Sequence, residues 1–361
     1  MMRDRVYVCH TYYHVYVAFL KEFNLSNTIR EQTGATLILS RMSTDFEQLK
    51  ERIENIHYFE EVLWFDEKGY LESPQLVALK RDRGILANMI ARIRFTDLLS
   101  KQQEPYIPVD FTLYRDIYVF CDSDPIGYYL NKHKIPYHAL EDGLDCLKIY
   151  DTARFDNRGC FRLKVLLSRW NLIFIQNGYG RYCIDMEIND RSCLKYDCPY
   201  YKELPRKQLE ERISKPDQQL MVRAFMEDAD ALMQQIHNPI DERIAGKNVL
   251  ILTEPLCTLE VRKQILEDII KEYCEGFRVF IKPHPRDHLD YEHLFSDCIV
   301  LKGRFPLEVM NYLEGVHFDR AVSVFTQAIY SMEFVDEKIF LGEDFMDRYE
   351  APAVHRYNDQ I

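Results

Sequence analysis

The stretch NVLILTEPLCTLEVRKQILEDIIKEYCEGFRVFIK, residues 248–282, reads as strand, helix, strand. NVLILT (248–253) and FRVFIK (277–282) are short apolar runs without alternation, the mark of strands covered on both faces. Between them, 259–274 spaces its apolar residues at the helical period. Strands joined by a helix pair in parallel, so this unit predicts an α/β layer structure. Downstream, DCIVLK (297–302), RAVSVF (320–325) and KIFLG (338–342) alternate with helical stretches around 306–314 and 326–334. Upstream, RVYVC (5–9), ATLILS (35–40), FEEVLWF (59–65), RDIYVFC (115–121), IPYHAL (135–140) and NLIFIQ (171–176) read as strands, with a helix over 13–23. From about 205 to 237 the chain turns polar, helical and strand-free, and Pro216 interrupts it. The pattern predicts an α/β domain over 1–205, a helical connector over 206–240 and a second α/β domain over 241–361. Two such Rossmann-like domains facing a central cleft would hold ligands at the carboxyl ends of their strands.

Composition narrows the function. The chain has 361 residues, with 46 Lys+Arg against 58 Asp+Glu, a net charge of −12 that argues against a general nucleic-acid binder. An anionic ligand would need a locally basic pocket. The apolar start carries His10, Tyr12, Tyr13 and His14 and no small-residue cleavage site, so it reads as fold and not as a leader. The runs at 163–175 and 247–252 are too short or too charged to span a bilayer. Ten scattered cysteines without a CxxC pair predict reduced thiols and a cytoplasmic protein.

Three strand ends carry candidate chemistry. Glu141-Asp142-Gly143 follows IPYHAL and offers two carboxylates in a turn, or simply an acidic turn. Lys282-Pro283-His284-Pro285-Arg286-Asp287 follows FRVFI; two prolines restrain His284 between cationic side chains, which suits hydrogen bonding or proton donation to a phosphate. Ser323 and Thr326-Gln327 lie where a strand gives way to a helix, with Thr326 a candidate cap and the amides beyond it a phosphate site. Phe305-Pro306-Leu307-Glu308 precedes them, and Glu308 could accept hydrogen bonds from a ribose diol or favour the helix dipole. Asp122-Ser123-Asp124 competes as a DxD signature for Mg²⁺ or Mn²⁺, although Asp124-Pro125 also reads as a helix start.

Together the EDG turn, KPHP, FPxE and the hydroxyl-bearing junction resemble the bacterial GT-B sialyltransferases, above all those of glycosyltransferase family 52, and are related to the bacterial polysialyltransferases. The opening VYVCHTYYHVYVAFLK, with Tyr13-His14, is similar to that family's first strand and helix. The resemblance implies a GT-B fold and transfer of sialic acid, with inversion, from CMP-sialic acid to a capsule or lipooligosaccharide glycan. It implies Glu141 as general base with Asp142 the alternative, and His284, of the His-Pro285 pair, assisting departure of CMP. Glu308 would hold the ribose; Lys282 and the junction hydroxyls would meet the phosphate charge. A monophosphate leaving group leans less on a divalent ion, so no metal or other cofactor is expected.

The chain departs from the family twice. It has Thr326-Gln327 where relatives carry two adjacent hydroxyls, which makes Ser323 the substitute. It has ILTEPLCTLEV (251–261) where relatives tend to carry ILTQPL and an acidic loop, so Glu254 and Glu260 compete with Glu141 as base. Two other functions stay open: a CDP-glycerol-type glycerophosphotransferase and a non-catalytic glycan-binding subunit. The basic stretch 153–174, with Arg154, Arg158, Arg162, Lys164, Arg169 and Trp170, could touch the inner membrane face, bind an anionic glycan or be a solvated helix face. The expected partners are the nucleotide sugar and the glycan acceptor, and a homodimer stays open.

Overall fold

A computed structural model of the protein describes residues 3–25, 33–42, 45–67, 73–81, 84–120, 122, 125–144, 146–149, 151–237 and 246–355. The chain divides into two compact units, Met1–Ser214 and Lys215–Gln360. The first is built on seven strands: β1 (Arg3–Cys9), β2 (Ala35–Ser40), β3 (Glu61–Phe65), β4 (Tyr114–Phe120), β5 (Tyr137–Leu140), β6 (Cys183–Ile188) and β7 (Tyr201–Glu203). They pair in the order β3-β2-β1-β4-β5-β6-β7, all parallel. The second holds β8 (Asn248–Leu252), β9 (Arg278–Lys282), β10 (Ile299–Val300), β11 (Phe318–Ser323) and β12 (Val335–Phe340). Their order is β10-β9-β8-β11-β12, again all parallel. Each unit thus places its first strand centrally and reverses direction beside it, which is the Rossmann order. The continuous apolar runs are explained: all of β2 and four of five residues of β8 are buried.

Each unit has its own core. Val6, Val8, Ile117, Val119 and Ile175 lie in the first, and Val249, Ile251, Ile269, Ile281 and Val322 in the second. The polar stretch read as a connector divides at Ser214. Helix Arg206–Glu210 stays with the first unit, where Tyr16 Oη donates to Glu210 at 2.7 Å. Helices Lys215–Phe225 and Ala229–His237 belong to the second, where the Arg278 guanidinium donates to the carbonyls of Gln235 and Ile236. Their few apolar residues, among them Met221, Phe225, Leu232 and Ile236, are buried. The stretch is therefore packed structure despite its polarity.

Three expected elements differ. Residues 171–176 form no strand; Asn171 takes a left-handed φ of 57° and closes helix Phe161–Arg169, with Leu172 N–H donating to Leu167 at 3.0 Å. Ile173, Phe174 and Ile175 then fill the core from a loop. The helical stretches around 306–314 and 326–334 are short 3₁₀ turns, Leu307–Tyr312 and Gln327–Ser331. Among the described residues no helix is long and apolar enough to cross a membrane. The nine described cysteines are free thiols.

Candidate active site

In the first unit the chain leaves β5 directly into Glu141-Asp142-Gly143, and the two carboxylates part company. Glu141 is buried. Its Oε2 accepts from Asn189 N–H at 2.8 Å and its Oε1 from Leu147 N–H at 3.3 Å. Glu141, which the resemblance implies as general base, therefore ties the turn to the loop after β6. Asp142 is the exposed member, its side chain 51% accessible. Gly143 has an ordinary φ, and a Cβ there would meet only Cys146 at 4.0 Å, so the turn does not require glycine.

Asp142 is held by the helix that follows β1. His14, wholly buried and stacked on Phe120 at 4.2 Å, places Nε2 at 2.9 Å from Asp142 Oδ1 and 2.8 Å from its carbonyl. His14 Nδ1 accepts the backbone N–H of His10 at 3.0 Å, so its proton sits on Nε2 and is donated to Asp142. Burial lowers the His14 pKa and keeps the ring neutral. Beneath it, His10 Nε2 pairs with buried Glu67 at 2.7 Å, and Ser40 donates to the same carboxylate. Burial opposes a charge on His10, but Glu67 outweighs it and raises the pKa. These residues sit at or just past the carboxyl ends of β1, β2, β3 and β5.

Of the DxD segment the structure describes Asp122. Asp122 is buried and accepts from Tyr137 Oη at 2.8 Å and Asn177 N–H at 2.6 Å. Burial pushes its carboxyl up to about 6. Ser123 and Asp124 lie outside the described residues. Gly127 is needed here, because a Cβ would fall 1.7 Å from the Asp122 carbonyl oxygen.

In the second unit the loop after β9 is fixed from within. His284 N–H donates to Thr253 Oγ1 at 3.0 Å, and His284 Nδ1 accepts from Arg286 N–H at 3.1 Å. The neutral ring therefore carries its proton on Nε2. Burial first, then the Arg286 charge, lowers its pKa to about 4. The anchor is Asp287, whose buried carboxylate accepts from Arg262, from Tyr291 Oη at 2.6 Å and from Thr253 Oγ1 at 3.3 Å. Thr253, Arg262 and Tyr291 were not singled out by sequence, since they lie well outside the motif. The prolines were the readable signal, and Pro285 itself is exposed.

The other expected residues of the second unit range from buried to exposed. Lys282 is buried, donates to the Gly303 carbonyl and lies 3.7 Å from the Phe305 ring centre, so it does not stand in the loop as a free cation. Burial lowers its pKa to about 7. Ser323 is buried and turns its Oγ to the Thr326 carbonyl at 3.3 Å. Thr326 precedes the 3₁₀ turn without a side-chain capping bond, and it and Gln327 are half-buried. Glu308 is buried and accepts from Ser331 Oγ at 3.2 Å, joining the two 3₁₀ turns. Glu254 lies between β8 and β11, where the strand order reverses, and accepts Phe325 N–H at 2.7 Å. Burial raises its carboxyl to about 7. Glu260 stands exposed in the first turn of helix Leu259–Tyr273.

Two Rossmann-like units in one chain, each with polar residues at carboxyl strand ends, are the parts of a GT-B fold. Residues 96–340 match the model of glycosyltransferase family 52, and the chain belongs to that family. A Haemophilus influenzae protein described as uncharacterized is 31% identical over 93 residues. That match covers 24% of this chain and 30% of the relative's length. Among solved structures, the GT-B domain of a sialyltransferase from Photobacterium damselae is 13% identical with a TM-score of 0.48, covering 93% of this chain and 90% of that one. A wall teichoic acid polymerase is 12% identical with a TM-score of 0.46, covering 96% and 71%.

Proposed function

We propose that this glycosyltransferase moves sialic acid from CMP-sialic acid to a hydroxyl of a bacterial surface glycan, with inversion and without a metal. The observation that carries the reading is the construction of the KPHP loop: His284 is locked by Thr253 and Arg286 so that a neutral ring offers Nε2–H. Such a donor suits the phosphate oxygen of departing CMP. The bond from that oxygen to the anomeric carbon breaks while the acceptor oxygen bonds to the same carbon from the other side. The acceptor hydroxyl must lose its proton, and we assign this to Asp142 in place of Glu141, because Asp142 is exposed and oriented by a buried donor. Thr326 and Gln327 are assigned to the phosphate, with Glu308 beside the ribose.

The experiment is donor hydrolysis, run with CMP-sialic acid, CDP-glycerol and UDP-sugars in turn. CMP release from CMP-sialic acid alone is the expected result. Release from CDP-glycerol alone would replace the reading with glycerophosphate transfer, and no release with retained glycan binding would make the chain a binding subunit.

A further inference from the structure

The first unit carries a surface that the proposed chemistry does not use. From Asn157 to Ile184 the chain holds no Asp or Glu, yet it holds Arg158, Arg162, Lys164, Arg169 and Arg181, in a protein of net charge −12. Helix Phe161–Arg169 buries Leu167 inward, while Leu163, Leu166 and Trp170, at i, i+3 and i+7, are 51%, 43% and 63% exposed. The side of a helix turned to water is ordinarily polar. Here it is apolar and flanked by exposed Arg158 and Arg162. Arg169 is already committed, donating to the Gly178 and Gly180 carbonyls at 2.8 Å. Helix Ile85–Gln103 is tied to residues on either side of helix Phe161–Arg169, since Arg92 donates to Asn157 Oδ1 and the Phe174 carbonyl at 3.3 Å. Its first turns expose Leu86 and Ile90.

We infer that this face docks on an anionic lipid surface, with Trp170 and the leucines at headgroup depth and the arginines on lipid phosphates. Exposed leucines and a tryptophan framed by arginines, with no Asp or Glu between Asn157 and Ile184, match the combined apolar and electrostatic terms of interfacial binding. A soluble polyanion would satisfy the arginines but leave the leucines in water. A second copy meeting this face about a two-fold axis would set Arg158 and Arg162 against themselves. The inference stands apart from the choice of sugar donor, because it concerns where the enzyme sits and not what it transfers.

The test uses the full chain with vesicles of phosphatidylcholine alone or mixed equally with phosphatidylglycerol. Co-sedimentation is expected with the mixed vesicles only, weakening as salt rises. The chain has two tryptophans, Trp64 and Trp170, so a blue shift of emission that vanishes in Trp170→Phe reports insertion at this face. Leu163→Glu with Trp170→Glu, and separately Arg158→Glu with Arg162→Glu, should each weaken vesicle binding at least about 10-fold while thermal unfolding stays as in the parent. Absence of binding to the mixed vesicles, or binding indifferent to both double variants, would overturn the inference. So would binding of heparin without vesicle binding, or Trp170-dependent self-association without it.

Discussion

A carboxylate takes a proton from a substrate hydroxyl only where that hydroxyl can reach it, and this separates Asp142 from its neighbour. Glu141 spends both oxygens on backbone N–H groups of Leu147 and Asn189 in a buried place. Glu141→Gln would turn an amide N–H toward one of those donors, at a cost of about 1–3 kcal/mol in stability. Asp142→Asn leaves the turn in place and removes only an exposed charge, so it should slow transfer at least about 10²-fold with little change in CMP affinity or melting temperature. Kinetics and thermal melts on the two variants check this; an active Asp142→Asn with a dead, fully folded Glu141→Gln would return the base to Glu141. His284 carries a second prediction. An imidazolium acid loses rate as pH rises through its pKa, but the His284 pKa is lowered to about 4, below the working range. The kcat/KM of the free enzyme should then show no fall between about pH 6 and 8 owing to this ring. A limb near pH 6.5 that disappears in His284→Gln would show that the ring works as a cation.

At the scale of elements, legibility followed how local the determining contacts are. β2 and β8 were readable because a run of apolar residues needs no partner to be recognised as a buried strand. β6 was missed because CIDMEI carries Asp185 and Glu187, and the residues that let them enter a sheet are remote. His138 pairs with Asp185 at 2.6 Å and Lys21 with Glu187 at 2.6 Å. The run at 171–176 misled for the opposite reason. Its apolar residues are buried, but Asn171 and Asn177, each with a φ of 57°, bend the chain away from a ladder. The KPHP loop divides in the same way. Pro283 and Pro285 announce rigidity in the sequence, whereas the contacts that orient His284 run through Thr253 to Asp287 and Arg262, residues brought together only by the sheet. Lys282 shows the limit of reading charge from composition, since its ammonium faces a carbonyl and an aromatic ring.

For the molecule as a whole, two sheets with separate cores mean that a ligand bound to one unit stabilises that unit first. Ile117 belongs to the first core and Ile269 to the second, and both are buried. Ile117→Ala and Ile269→Ala each remove buried methyl groups, costing about 2–5 kcal/mol, so each should lower the unfolding transition of its own unit and thereby label it. On the proposed function CMP is held by residues after β9, β10 and β11, all in Lys215–Gln360. At 100 times its Kd a ligand adds about 2.7 kcal/mol to the state it binds, and at about 2–4 °C per kcal/mol that is a rise of about 5–10 °C. Calorimetry with CMP should therefore raise the transition that Ile269→Ala lowers and leave the one that Ile117→Ala lowers nearly in place. His284→Ala, which removes a phosphate donor but no core contact, should shrink the CMP-induced rise more than it lowers the starting transition. A rise confined to the transition labelled by Ile117→Ala would put the nucleotide in the first unit and remove the KPHP loop from donor binding. One merged transition moved equally by both variants would show that the two cores do not unfold separately.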